Sequence, residues 1–194
     1  MEKILVFDVE TTGVKHWQHS IHQLSAMVVI DGKITEVIDL KIRPHEKAVI
    51  DEMALKVSGV DPETVMAYEH RTVQFGRFVD LLDKHIDLFN PEDKFFLVGY
   101  NNSWFDNEFL RNLFVLEGDS SFGNYFWQNG IDVMVLAGQY LMPDRHKMPS
   151  FKLHRVAKWV GVDVDDSKLH DAVYDLELTW QVYNIVKGKT IDDW

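Results

Sequence analysis

The first forty residues contain short, nearly continuous hydrophobic runs. Lys3–Val9 (KILVFDV) is rich in apolar and β-branched residues, which predicts a buried strand. Leu24–Ile30 predicts a second strand, and Ile34–Ile42, with rough alternation, predicts a third. Asp31 and Gly32, between the last two runs, are a hairpin signal. The N-terminal part is therefore expected to form an antiparallel meander.

After residue 50 the apolar residues adopt helical spacing. Asp51–Val57 predicts a short helix that ends at Gly59, and Phe95–Tyr100 (FFLVGY) predicts one more buried strand. Further helices are expected over Thr72–Leu88, Ser103–Leu116, 131–141, 151–160 and 171–186. This order predicts an α/β fold, in which a mixed central sheet (an antiparallel meander plus parallel strands) is flanked by helices.

The length and composition narrow the classes of protein. The 194 residues fit one domain, expected to span 1–194, because a chain of this length can bury a substantial core. The lack of cysteine excludes disulfides, a thiol nucleophile and cysteine-ligated metals. No signal peptide is recognisable, and no apolar stretch approaches the roughly 18 residues that span a bilayer. The protein is therefore expected to be cytoplasmic.

Acidic residues outnumber basic ones by 31 to 20, which gives a formal charge of −11 and, taken alone, speaks against a nucleic-acid partner. The positions of particular acids point elsewhere. Asp8 and Glu10 end the first predicted strand, where residues two apart share a face. Asp106 follows the strand at 95–100, although its spacing from Ser103 also fits a helix cap. The alternative for Asp8 and Glu10 is that polar residues simply mark the end of the strand.

His170 and Asp175 lie at the start of the last predicted helix. Five residues correspond to about 140° of helical rotation, so the two side chains converge only if His170 lies at or before the first turn. Ala172 would leave room between them. The alternative is a capping histidine followed by a solvated acidic turn.

A meeting of Asp8, Glu10, Asp106 and Asp175 would require counter-ions. Two unit charges about 5 Å apart repel by roughly 3 kcal/mol at an effective dielectric near 20. Six such pairs would approach the whole stability of a domain, roughly 5–15 kcal/mol, unless cations or protons intervene. Oxygen ligands favour hard ions, and two Mg²⁺ or Mn²⁺ about 4 Å apart can clamp the attacking and leaving oxygens of a phosphodiester. A histidine at the rim can take the proton from the attacking water.

Three motifs in this order resemble those of the DEDD 3′–5′ exonucleases, in their histidine-bearing branch. They are Phe7–Gly13 (FDVETTG), Asn101–Asp106 (NNSWFD) and His170–Asp175 (HDAVYD). That branch includes the proofreading subunit of bacterial DNA polymerase III and RNase T, and the resemblance covers nearly the whole chain. It implies an RNase H-like fold and two Mg²⁺ or Mn²⁺ ions per active site.

The resemblance also implies a role for each matching residue. Asp8, Glu10 and Asp175 would hold the first metal ion, Asp8 and Asp106 would hold the second, and His170 would be the general base. The residues expected to contact the substrate are Val9, Thr11, Thr12, Gly13, Asn102, Phe105, Lys147 and Lys152.

Two departures weaken any transfer of substrate preference. Asn101 replaces the histidine that usually opens the second motif, and Val57–Val60 (VSGV) stands where the proofreading subunit has Val-His-Gly-Ile. Neither departure removes a metal ligand, so catalysis is expected to survive. The extension with which the proofreading subunit binds its polymerase has no counterpart, so a freestanding or differently tethered nuclease is expected. A homodimer and a polymerase or repair partner both stay open.

The stretch 145–162 contains five basic residues, two histidines and no acid. It is either a solvated helix face or a patch for substrate phosphates. Aromatic residues could also stack unpaired bases, at most two of Trp17, Trp104, Tyr125, Phe126 and Trp127.

Two smaller predictions concern histidines and a helix cap. His16, His19 and His22 are regularly spaced, and a solvated loop near the substrate is favoured over a second metal site. Asp132 is expected to cap the helix at 132–141.

The sequence therefore predicts a metal-dependent exonuclease that acts on single-stranded DNA 3′ ends and releases 5′-mononucleotides. RNA or short oligoribonucleotides are the alternative substrate, because no residue reads the 2′-hydroxyl decisively. A non-catalytic interaction module derived from a nuclease is the alternative class of protein. The charge of −11 no longer excludes nucleic acid once four of the acids are assigned to cations.

Overall fold

The structure, a computed structural model, describes residues 1–169 and 171–188. Within them lie the strands β1 (Lys3–Thr11), β2 (Ile21–Ile30), β3 (Lys33–Lys41), β4 (Phe96–Gly99) and β5 (Ile131–Asp132). They form one sheet in the order β3-β2-β1-β4-β5. β1, β2 and β3 are antiparallel neighbours, whereas β4 runs parallel to both β1 and β5. The predicted mixed sheet and its N-terminal meander are confirmed.

The helices in the described ranges are α1 (Glu52–Val57), α2 (Pro62–Met66), α3 (Arg71–Asp83), α4 (Asp106–Leu116), α5 (Phe122–Tyr125), α6 (Val133–Tyr140), α7 (Leu153–Trp159) and α8 (Ala172–Val186). The sequence did not predict α2, α5 or β5, because segments this short show no periodicity. None of the described helices is long and apolar enough to cross a membrane.

The ends of several elements differ from the prediction, most of all the end of α3, whereas the cap of α6 agrees with it. α3 ends at Asp83, and α4 begins only at Asp106. Asp132 caps α6 as expected, since its Oδ1 accepts a hydrogen bond from the Met134 amide at 2.9 Å. The early end of α3 leaves the apolar residues after Asp83 in a turn, where spacing alone had suggested more helix.

β1 is buried on both faces, which explains its continuous apolar run. Leu5, Phe7 and Val9 belong to the core formed with α3 and α4, whereas Ile4 and Val6 belong to the core formed with α6, α7 and α8. Alternation along the strand then places Asp8 and Glu10 on the side of α8. The two acids therefore leave the sheet on one face, as the sequence predicted.

Candidate active site

The candidate site lies at the carboxyl ends of β1 and β4. These parallel strands pair from Ile4 with Phe96 to Val6 with Val98, so β1 continues past the end of β4. Asp8 and Glu10 occupy this overhang. The chain leaving β4 then passes through a short loop into α4, whose first residue is Asp106. Two segments far apart in sequence therefore deliver acids to one end of the sheet.

Asp106 lies in the first turn of α4, but it does not form the capping contact that was the alternative to a metal ligand. The N-cap residue of α4 is Phe105, which makes no side-chain capping bond, and a capping box with Ser103 is absent from the described contacts of this helix end. The Asp106 carboxylate, only 6% exposed, instead accepts a hydrogen bond from the Val9 amide at 3.2 Å. This contact ties α4 directly to the acidic end of β1.

Asp175 reaches the same place from the other side of the sheet. It lies in the first turn of α8, a helix that packs against β1 and begins after the N-cap Asp171. Its negative charge is one of those that act on Asp8. His170, the predicted general base, lies outside the described residues, and its role stays a prediction.

The carboxylates perturb one another strongly. Burial raises the pKa of Asp8 well above its ordinary value, and the charges of Asp106, Glu10 and Asp175 raise it further. Burial raises the pKa of Asp106 to about 7, although the hydrogen bond from the Val9 amide acts in the opposite direction. Such shifts mark a place where negative charge is costly without a cation. Among the described residues, no group of three or more acidic or histidine side chains is already arranged to hold a metal ion.

Ser58 makes a contact that the sequence did not predict. Its hydroxyl donates to Glu10 Oε2 at 2.5 Å. α1 ends there in a Schellman motif, in which Gly59 has φ +67° and the Val60 amide donates to Leu55 O at 3.1 Å. The glycine after Ser58 in Val57–Val60 signals the end of the helix, whereas the contact with Glu10 depends on how α1 packs beside β1.

The loop after β1 is fixed by internal contacts. Thr11 Oγ1 donates to Gly13 O at 2.8 Å, and Thr12, fully buried, donates to Val49 O at 2.8 Å. The His19 ring fills the place of a side chain at Gly13, where a Cβ would lie 2.1 Å from it. The predicted substrate contacts of this loop stay a prediction, and they would involve main-chain groups because Val9 is also in the core.

Asn102 and Phe105, also predicted to contact the substrate, are likewise engaged in contacts within the protein. Asn102 is fully buried and donates to Asn107 Oδ1 at 3.3 Å, while the Phe105 ring packs 4.9 Å from Phe109. Asn101 has φ +62°, a left-handed conformation that asparagine tolerates well, and its amide donates to Asp132 Oδ1 at 2.9 Å. This backbone conformation is compatible with asparagine at the position where the sequence motif usually has histidine.

The basic stretch 145–162 is less positive than its sequence suggested. Lys147 pairs with Asp144 at 2.6 Å and Lys158 pairs with Asp166 at 2.6 Å, so acids just outside the stretch compensate two of its charges. Lys152 precedes α7 and is exposed. Lys152 is thus better placed than Lys147 to offer an uncompensated charge, and contact of either residue with substrate stays a prediction.

The predicted histidine loop is only partly present. His19 packs on Gly13, and His16 lies against Trp17, with ring centroids 5.0 Å apart. His22 does not belong to the loop at all, because it is buried in β2, where burial and then the charge of Lys41 lower its pKa to about 4. The prediction of one solvated loop was therefore wrong for His22.

The residues predicted to stack on bases differ in exposure. Trp104 is 90% exposed and Trp17 is 67% exposed, so both rings are accessible. Tyr125 and Phe126 are buried in the core, which excludes them as stacking surfaces. Trp127 is half-buried and lines a cavity together with Lys94 and Arg111.

Comparison with known proteins agrees with this geometry. The family model of the RNase T exonucleases matches residues 5–183. The chain belongs to this exonuclease family. The resemblance drawn from the three motifs is thereby confirmed.

Individual members of the exonuclease family show how much of each protein the chain resembles. It is 27% identical over 183 residues to a PolC-type DNA polymerase III of Mycoplasmopsis pulmonis, covering 94% of this chain and 11% of that protein. It is 24% identical over 200 residues to exodeoxyribonuclease I of Buchnera aphidicola, covering 95% of this chain and 39% of that protein. The chain thus spans 11% and 39% of the lengths of these two relatives.

The fold of this family member agrees with solved structures. The zinc-bound E. coli exonuclease I–ssDNA complex superposes with a TM-score of 0.77 at 24% identity, over 96% of this chain and 40% of that one. E. coli exonuclease I in complex with a dT13 oligonucleotide gives a TM-score of 0.75 at 22% identity, over 97% of this chain and 41% of that one. The expected RNase H-like fold is confirmed.

Proposed function

We propose that the chain is a metal-dependent 3′–5′ exonuclease that hydrolyses single-stranded DNA and releases 5′-mononucleotides. The observation that carries this proposal is the burial of Asp8 together with the crowding of Asp106, Glu10 and Asp175 around it, which raise the pKa of Asp8. The similar PolC-type polymerase and exodeoxyribonuclease I act on DNA by name, which favours DNA over RNA.

The carboxylates fit hard divalent cations, because they supply only oxygen ligands and their mutual repulsion would be relieved by positive charge. Asp8, Glu10 and Asp175 would hold one ion, and Asp8 with Asp106 would hold another. Two bound Mg²⁺ or Mn²⁺ ions supply charge stabilisation for the attacking and leaving oxygens of a phosphodiester.

Other residues of the chain would position the carboxylates, accept a proton and contact the nucleotide. Val9 holds Asp106 in place through its amide, and Ser58 holds Glu10 through its hydroxyl. His170 would accept the proton of the attacking water, since an imidazole titrates near neutral pH. The main chain of the loop after Glu10 would lie against the terminal nucleotide.

A labelled-strand assay tests the proposal. DNA and RNA strands labelled at either end are incubated with the chain and Mg²⁺ or Mn²⁺, with EDTA and Asp8→Ala as controls. We expect stepwise shortening from the 3′ end, faster on DNA, and a loss of about 10³-fold or more in Asp8→Ala. Faster shortening of RNA would make the chain an exoribonuclease. No metal-dependent shortening of any strand would leave the non-catalytic interaction module as the better account.

A further inference from the structure

A cavity of about 430 Å³ opens beside the middle of α4. Lys94 and Arg111 contribute its positive charges, half-buried Trp127 contributes a partly accessible ring, and the largely buried Phe122 and Phe126 also line it. None of the described residues that line it is acidic. This composition is unusual in a chain with a formal charge of −11, and it suits an anion that also carries a planar apolar group.

Both cations are held by neutral groups. The guanidinium carbon of Arg111 lies 4.3 Å from the centroid of the Phe122 ring. Lys94 Nζ donates to Gly123 O at 2.5 Å and lies 5.3 Å from the Trp127 ring centroid. Across residues 1–169 and 171–188, neither cation forms an ion pair with a carboxylate. Their charges are therefore available to a ligand, with most of the N–H donors still free.

The aromatic wall is rigidly attached to the sheet. The Trp127 amide donates to Phe95 O at 3.0 Å, and the Phe95 amide donates to Tyr125 O at 2.8 Å. The Trp127 ring stacks on Phe96, with centroids 6.1 Å apart. A wall fixed in this way can receive a flat ligand without first being ordered, which lowers the entropic cost of binding.

The cavity is a neighbour of the acidic site but separate from it. Arg111 lies five residues after Asp106 on α4, or about 7.5 Å along the helix axis. Asn107, one helical turn before Arg111, lies close enough to Gly130 that a Cβ there would be 3.1 Å from its Nδ2. Asp106 and Arg111 lie about 140° apart around α4, so the acidic end of β1 and the cavity adjoin different sides of the same helix.

We propose that this cavity binds one nucleotide unit, with the base against Trp127 and the phosphate at Arg111 and Lys94. The volume lies within the roughly 300–1,000 Å³ that small-molecule sites occupy. Bases stack on aromatic side chains, and arginine forms paired hydrogen bonds with phosphate. The choice of a nucleotide as the ligand rests on the proposed function, whereas the anionic and planar character follows from the cavity itself. The unit is either a free mononucleotide or part of a strand.

Nuclear magnetic resonance titrations of the ¹⁵N-labelled chain in EDTA test this site without hydrolysis. The probes are dAMP, inorganic phosphate, deoxyadenosine and an oligothymidine of about twelve nucleotides. We expect saturable shifts of the Trp127 indole and Arg111 side-chain signals. The Trp127 indole signal is identified by its loss in the Trp127→Phe variant. Arg111→Gln should raise the Kd about tenfold, because a charged phosphate contact is lost. Lys33→Gln, which removes one charge from an exposed residue at the start of β3, should change the Kd less than twofold.

The possible outcomes distinguish a free mononucleotide from a strand as the ligand. They also distinguish failure of the cavity site from failure of the nuclease proposal. Binding of dAMP identifies a free mononucleotide as sufficient, and binding of the oligothymidine alone identifies a strand; both support the site. Equal affinity for inorganic phosphate and dAMP, no shift at Trp127 with any probe, or an unchanged Kd in Arg111→Gln would overturn it. The labelled-strand assay is scored separately, so lost hydrolysis with intact binding would refute the nuclease proposal alone.

Discussion

The acidic end of β1 and the cavity beside Arg111 both adjoin α4, but their charged groups are stabilised differently. At the end of β1, carboxylates of one sign crowd together, and burial with mutual repulsion raises the pKa of Asp8. In the cavity, two cations rest on aromatic rings and a carbonyl. The first arrangement is costly without a counter-ion, whereas the second is stable alone. Crowding of like charges is therefore the stronger sign of a ligand site.

The largest expected effect tests this cost at the acidic end. In EDTA at pH 8, Asp8→Asn should raise the free energy of unfolding by about 1–3 kcal/mol, because it removes one of the repelling charges. This corresponds to roughly 2–10 °C in thermal denaturation. Because the carboxyl pKa of the folded chain lies above that of the unfolded chain, the stability of the unsubstituted chain in EDTA should fall as pH rises through that interval. Mg²⁺ should stabilise the unsubstituted chain by about 2.7 kcal/mol at 100 times its Kd, and Asp8→Asn much less.

Two matched variants sharpen the contrast. Asp132→Asn alters another buried acid at this end of the sheet, but its carboxylate accepts hydrogen bonds from the Asn101 and Met134 amides. It should therefore lower stability while leaving the response to Mg²⁺ intact. Arg111→Gln in the cavity should not raise stability. A fall in the stability of Asp8→Asn in EDTA would contradict the view that its charge is a cost.

A second, slightly smaller effect concerns His22, a buried titratable group outside both regions. Burial lowers its pKa to about 4, against an ordinary value near 6.5, so the unfolded chain binds more protons between those values. Its contribution to stability is complete above about pH 6.5 and is lost as pH falls toward 4. His22→Leu should remove about 1–2 kcal/mol of the stability difference between pH 7 and pH 5 in urea denaturation. The same pH dependence in both proteins would show that His22 is not the group responsible.

The smallest effect concerns the support of Glu10 at the acidic end. Ser58→Ala removes the hydroxyl that donates to Glu10 Oε2, and it should lower Mg²⁺ affinity about tenfold, as losses of ligand-orienting hydrogen bonds typically do. Ser58→Thr keeps a hydroxyl and should recover most of that affinity in isothermal titration calorimetry. Equal affinities in the alanine and threonine variants would show that this hydrogen bond does not position Glu10.

Much of the fold and part of the site could be predicted from the sequence. The continuous apolar run at Lys3–Val9 encodes a strand buried on both faces, and its pairing of Asp8 with Glu10 follows from strand alternation. Asp106 could not be distinguished from a helix cap, because an acid in the first turn satisfies either role. Only the hydrogen bond from the Val9 amide, contributed by a residue 97 positions away, decides between them.

The sequence by itself determined the longer helices and strands, the acidic ends of the strands and membership of an exonuclease class, because these depend on local periodicity and short motifs. The tertiary structure alone decided which charges are compensated and which are not. Lys158 pairs with Asp166, which lies eight residues further along the chain and outside α7, whereas Lys94 and Arg111, 17 residues apart, meet in one cavity. Electrostatic energy depends on distance and burial, which a linear order of residues does not contain.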